Sequence, residues 1–159
     1  MISQRAKYAL KALIALARSE NSAMIGDIAK RHRIPHKFLE QILLELKHLG
    51  IVQSKRGRTG GYSLLRPADQ ITFGEVLRAV DGPLAPLPCL SRIAYSRCKD
   101  CQDEKACEVR RVFADVATSA RAVLDQTTIA HAMNSEFSGA LRTKQEISAN
   151  PPSSRRKRT

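Results

Sequence analysis

The apolar positions of this chain change period several times, and each change marks an element. From Ser3 to Arg18, residues Tyr8, Leu10, Leu13, Ile14 and Leu16 to Ala17 recur at helical spacing. They predict an amphipathic first helix capped by Ser3, with Arg5, Lys7 and Lys11 on or near the other face. Ile25 to Arg31 predicts a short second helix with Ile28 and Ala29 turned inward. Arg33-Ile34-Pro35 stops it, because proline disfavours helical geometry in the residue before it. The same proline suits the first turn of a new helix. That third helix, Pro35 to Leu49, gathers Phe38, Leu39, Ile42, Leu43, Leu46 and Leu49 on one face. It leaves His36, Lys37, Glu40, Gln41, Glu45 and Lys47 more exposed, and Gly50 ends it.

Beyond Gly50 the period shortens. Ile51 to Ser54 and Tyr62 to Leu65 read as the strands of a hairpin, with Lys55 to Gly61 at its tip. A fourth helix follows Thr72, carrying Phe73, Val76, Leu77 and Val80, with Glu75 placed to complete a capping box. A proline-studded stretch, Gly82 to Pro88, separates this from the cysteines. From about Ala106 to Thr127 helical spacing returns. Val109, Phe113, Val116, Ala120, Val123 and Thr127 alternate steps of four and three, the seam of a helix that pairs with another. A dimer interface is expected there in preference to packing within the chain.

Helix, turn, basic-fronted helix and glycine-rich hairpin in that order describe a winged helix-turn-helix. The expected fold is mainly α with a small β-hairpin wing, followed by a long C-terminal dimerisation helix. The expected divisions are residues 1–81 for the winged module, 82–107 for a cysteine-bearing sensor loop and 108–135 for the dimerisation region. Residues 136–159 form a basic tail, and Ser148 to Thr159, with Arg155 to Arg158, are expected to be disordered.

Charge sharpens this picture. A net charge of +12 and a pI near 10.1 suit a polyanionic partner. Aromatic residues are only 4% and Trp is absent, which argues against a single-strand binder that stacks bases on rings. The apolar run Ala12 to Ala17 is far short of the roughly 20 residues of a membrane span. A cytoplasmic protein acting on double-stranded DNA is the expectation. The sequence holds no phosphate-binding glycine loop, nucleophile elbow or zinc-protease motif, so no enzyme is expected.

Two sets of residues carry the chemistry. The start of a recognition helix meets base edges, which nominates His36, Lys37, Glu40 and Gln41. Lys55, Arg56 and Arg58, with Gly60 and Gly61, form a tip whose backbone approaches phosphate closely, and Arg5, Lys7 and Tyr8 add phosphate contacts. The second set is Cys89, Cys98, Cys101 and Cys107, the whole cysteine complement. In a reducing compartment clustered thiols point to a metal or redox site. An iron–sulfur cluster leads; zinc, a metal-free thiol switch and plain loop thiols are the alternatives. Arg97, Lys99 and Lys105 are expected to lower the thiol pKa values.

Ser3 to Leu10, Pro35-x2-Phe38-Leu39-Glu40-Gln41, Arg56-Gly57-x2-Gly60-Gly61-Tyr62 and Val76 to Gly82 resemble the Rrf-two family of bacterial winged-helix regulators. IscR, NsrR, RirA and CymR are its members, and the resemblance spans about residues 1 to 131. It implies a homodimeric transcription factor, usually a repressor, whose long C-terminal helices cross. It implies base and groove readout by Glu40, Gln41 and Arg56. It further implies an iron–sulfur cluster held by three cysteines before the long helix, matched here by Cys89 at the first place and Cys107 at the last. Between them the pattern departs: Cys98 follows a longer gap, Cys101 is an extra thiol, and Arg110 stands where IscR-like members have a histidine. Either Cys101 completes an all-cysteine site, or the chain has left the cluster behind. In that case it is a regulator of the same fold that senses through thiols or a partner protein.

Overall fold

The computed structural model describes residues 2–57 and 60–134, so Arg58 and the 136–159 tail lie outside the described residues. Six helices and one hairpin follow in order: α1 Gln4–Ala17, α2 Ile25–His32, α3 His36–His48, β1 Val52–Lys55, β2 Gly61–Leu64, α4 Phe73–Asp81, α5 Glu108–Gln126 and α6 Ile129–Met133. Short 3-10 turns occupy Ala68–Gln70 and Pro88–Leu90.

α1 is the hub, packing against α2, α3, α4, α6 and β2. Small residues make this possible: Ala6, Ala9, Ala12 and Ala15 are buried beside Leu10, Leu13 and Leu16, so neighbouring helices approach its axis closely. Leu39, Ile42, Leu43 and Leu46 of α3 meet them with no exposed surface. Burying each such side chain contributes about 1.5–3 kcal/mol. Leu49, expected on this face, is instead 49% exposed, because α3 ends at His48 and the chain turns at Gly50, whose φ is 68°.

The caps follow the sequence with two exceptions. Ser3 accepts from the Ala6 N–H at 3.0 Å, and its own N–H reaches Asp81 Oδ2 at 2.9 Å, so the start of α1 is tied to the end of α4. α2 ends without proline: Arg33 adopts φ 53°, and the N–H of Ile34 returns to the Ala29 carbonyl at 2.9 Å. At α4, Thr72 accepts from the Glu75 N–H at 3.1 Å, as a capping box requires. The reciprocal half is missing, since the Glu75 carboxylate is taken by Arg66.

α5 lies against α4 and the Pro88–Leu90 turn through one buried residue, Ala117. Its helix then stops in extended backbone at Thr127 and Thr128. Phe73 N–H donates to the Thr127 carbonyl and Ile129 N–H to the Ile71 carbonyl, both at 2.8 Å. This bridge carries α6 back onto α1, and Ile129 is fully buried in the same core as Leu13 and Leu77. The seam expected to run to Thr127 therefore stops short of it: Thr127 is 8% exposed and its hydroxyl donates to the Val123 carbonyl at 2.7 Å.

Candidate DNA-reading face and cysteine loop

The exposed side of α3 presents His36, Lys37, Glu40, Gln41, Leu44 and Lys47 together, while its other side is core. Four of these are the residues nominated for base contact, and they lie within the first two turns of the helix. No acidic residue occupies the first turn, so nothing there opposes an approaching phosphate.

The hairpin stands beside this helix. Its register pairs Val52 with Leu64 and Lys55 with Gly61, which leaves Lys55, Arg56 and Gly57 exposed at the tip. Two anchors fix its position. Lys47 Nζ donates to Ser54 Oγ at 2.7 Å, joining α3 to β1. On the other side Ala23 and Tyr62 exchange backbone hydrogen bonds at 2.8 and 2.9 Å. Gly61 makes that second anchor possible: at φ 148° its Cα faces the Ala23 carbonyl, and a Cβ would lie 2.4 Å from that oxygen. Gly60 is buried in the turn, where a Cβ would lie 2.5 Å from the Lys55 carbonyl. Both glycines were expected to offer backbone to DNA. Within the fold their missing Cβ atoms face the protein's own backbone, so glycine at both positions shapes and seats the wing.

The α1 residues divide. Lys7 is exposed. Arg5, expected to reach phosphate, forms an ion pair with Glu45 of α3, and Tyr8 packs its ring edge-on to Phe38 with centroids 5.9 Å apart. Both contacts tie α1 to α3. Sequence patterning could not find these partners, since the residues lie 40 and 30 positions apart.

The cysteines occupy two environments. Cys89 is buried in the Pro88–Leu90 turn. Cys98, Cys101 and Cys107 are half-buried in the loop before α5, and Cys107 caps that helix by accepting from the Arg110 N–H at 3.4 Å. Cys101 stands between the other two. Hydrogen bonding to Cys107 first, then to Cys98, holds its proton and pushes its pKa up to about 12. The expected lowering by neighbouring cations fails at Cys101: Arg97 turns away to donate to the Gln102 carbonyl at 3.2 Å, and adjacent thiols oppose a second negative charge. Tyr95 and Arg110 converge on Glu104, the tyrosine hydroxyl donating at 2.8 Å and the Arg110 Nε lying 3.9 Å away.

An iron–sulfur cluster needs soft, deprotonated donors, and three thiols gathered at one helix start fit that chemistry. The buried Arg110 Nε has no hydrogen-bond partner among the described residues, and a sulfide or thiolate would accept from it. In the protonated state the thiols bond to one another. Accordingly, no three His, Cys, Asp or Glu side chains among the described residues are arranged to hold a metal ion. Ligation removes those protons and with them the hydrogen bonds that keep this arrangement. Among the described residues no helix is long and apolar enough to cross a membrane.

Comparison with known proteins agrees with this geometry. An rrf2-like HTH-type regulator of Rhodobacter capsulatus is 50% identical over 134 residues, covering 81% of this chain and 89% of that protein. CymR of Bacillus subtilis is 31% identical over 130 residues, covering 80% of this chain and 86% of that protein. The solved structure of CymR, the global cysteine regulator of B. subtilis, matches with a TM-score of 0.70 at 28% identity, covering 84% of this chain and 95% of that one. T. potens IscR shares the fold, with a TM-score of 0.67 at 24% identity over 92% of this chain and 96% of that one. These relatives are regulators rather than enzymes. The family described as "Rrf2: Iron-dependent Transcriptional regulator" matches residues 2–135, and the chain belongs to this family of DNA-binding transcriptional regulators.

Proposed function

We propose that this protein is a homodimeric, sequence-specific repressor whose hold on DNA is set by an iron–sulfur cluster on its cysteine loop. The observation that carries the reading is the bare apolar stripe of α5. Val109, Val112, Phe113, Val116 and Val123 are 39–63% exposed on a helix that begins at Cys107. A dimer seam and a sensor thus share one helix, and the seam sets the spacing of two recognition helices. Cys98, Cys101 and Cys107 would hold the cluster, with Cys89 a further candidate from the preceding turn. The cluster would supply an oxidisable centre that fixes the loop. Arg110 offers its orphaned Nε to that centre. On the DNA side, Lys37, Glu40, Gln41 and His36 meet base edges, while Lys7, Lys55 and Arg56 hold phosphate and groove.

A second reading is favoured by the hydrogen-bonded thiols themselves: a metal-free regulator, in which the loop senses oxidants directly or a partner protein. Its support is the arrangement of Cys101 between Cys98 and Cys107 and the similarity to CymR.

The test is anaerobic purification with iron and sulfide analysis, followed by fluorescence anisotropy on promoter fragments and random duplex. The cluster reading expects a coloured protein that prefers one fragment and loses that preference with its iron. A colourless protein that still discriminates would transfer the control to the thiols. Arg56→Ala is expected to cost about 1–3 kcal/mol of operator binding. No preference for any fragment, in any redox state, would end both readings.

A further inference from the structure

We propose that the protein binds a small organic anion, of the dicarboxylate class, in a pocket behind the cysteine loop. The pocket, about 240 Å³, opens where α4, the residues on either side of Cys89 and α5 meet. Arg78, Arg92 and Arg121 line it, and Asp125 adds the one carboxylate residue of the lining. That carboxylate is satisfied, since Arg78 Nη1 donates to Asp125 Oδ1 at 2.7 Å. Arg92 and Arg121 have no hydrogen-bond or ion-pair partner among the described residues, so the pocket keeps an uncompensated positive charge. Leu84 and the exposed Ile93 add apolar surface to the lining. Two unpaired arginines and apolar lining residues match a short carbon chain carrying carboxylates, because guanidinium donates in pairs to carboxylate oxygens. The volume falls below that of drug-sized sites, which limits the ligand to a small metabolite.

Placement argues that the site stays open in the dimer. At 100° per residue, Arg121 and Asp125 lie on one flank of the buried Ala117, while Val109, Phe113, Val116 and Val123 lie on the other. Pairing through the apolar stripe therefore leaves the pocket uncovered. An anion there would clamp Arg92, three residues beyond Cys89, to Arg121 of the helix that carries the seam. The site is separate from the thiols, so it adds a metabolite input whether or not a cluster is held.

The test is isothermal titration calorimetry of the full chain with succinate at low salt, with succinamide as the uncharged counterpart. Saturable succinate binding is expected, with none for succinamide. The double variant Arg92→Gln, Arg121→Gln should weaken it by about tenfold or more, as loss of charge-assisted bonds does. Arg111→Gln with Lys30→Gln removes as much charge from exposed positions outside the pocket and should leave binding within about twofold. Amide chemical shifts on titration should move at residues 83–93 and 121–125. Absent saturation, equal weakening in the two double variants, or shifts confined to α3 and the wing would each overturn the proposal. The last outcome would show the anion occupying the phosphate-facing surface. None of these outcomes depends on DNA binding or on iron.

Discussion

The guanidinium of Arg5 faces Glu45 rather than open solvent, and that pairing reverses the simplest forecast for its loss. A free phosphate contact would be strengthened by Glu45→Gln, which removes a nearby negative charge. A brace for α3 would be weakened by it. We expect Arg5→Gln and Glu45→Gln to reduce operator affinity by similar factors, with the double variant no worse than either, measured as a double-mutant cycle by anisotropy. Unfolding free energy should change little, by roughly 0.2–1 kcal/mol, because both side chains keep solvent access. A second residue acts through protons. Burial, and then Lys11, Arg31 and Arg18, lower the pKa of His32 from its ordinary 6.5. The unfolded chain therefore takes up this proton first as the pH falls, so the stability from neutral His32 is full above about pH 6.5 and drains below it. Urea midpoints measured from about pH 7 to pH 5 should fall less for His32→Gln than for the parent chain.

α5 is the element whose apolar spacing the sequence shows most openly. That spacing was legible because the period repeats over five turns, and the structure leaves Val109, Phe113, Val116 and Val123 uncovered within the chain, as the proposed seam requires. Phe113→Ala should weaken self-association by about 2–4 kcal/mol, and Val116→Asp should abolish it, in sedimentation equilibrium. Circular dichroism and the thermal midpoint of diluted protein should barely change, since these side chains touch no core. A concentration-independent monomer for the parent chain would remove the seam. The helix-turn-helix and hairpin were equally legible, as each depends on short-range periods and on Pro35, Gly50 and Gly61. α6 was not, because five residues are too few to show a period and what holds them is remote. Thr128 bridges to Thr72, and Ile129 fills a core built by α1 and α4. The wing glycines carry a role the sequence did not show. Glycine at a basic tip suggests access for phosphate, whereas Gly61 answers to Ala23, a partner 38 positions away that only the fold brings near.

For the molecule as a whole, the charge of +12 is the excess of 27 lysines and arginines over 15 acids, and not every one of those cations is free to meet DNA. Arg5, Arg66, Arg78 and Arg110 each face a carboxylate at 4 Å or less, and Arg97 serves the cysteine loop. On the described surface, Lys7, Lys55 and Arg56 remain exposed on α1 and the wing, and Lys37 is exposed on α3 among the residues proposed for base edges. In the proposed dimer, Lys7, Lys55 and Arg56 of each protomer offer about six phosphate contacts, which sets a slope of log K against log salt of about −5. A surface that used the whole net charge indiscriminately would show a far steeper slope and no sequence preference. Lys55→Gln removes one contact from each protomer and should flatten the slope by about 2, with equal loss on operator and random duplex. Gln41→Ala should do the reverse, leaving the slope unchanged while discrimination falls by about 1–3 kcal/mol, because a base contact releases no counterion. Salt titrations of the parent chain and both variants on the two duplexes separate these outcomes. If Lys55→Gln altered discrimination and left the slope alone, the wing would be reading bases, and the division of labour between helix and hairpin would have to be exchanged.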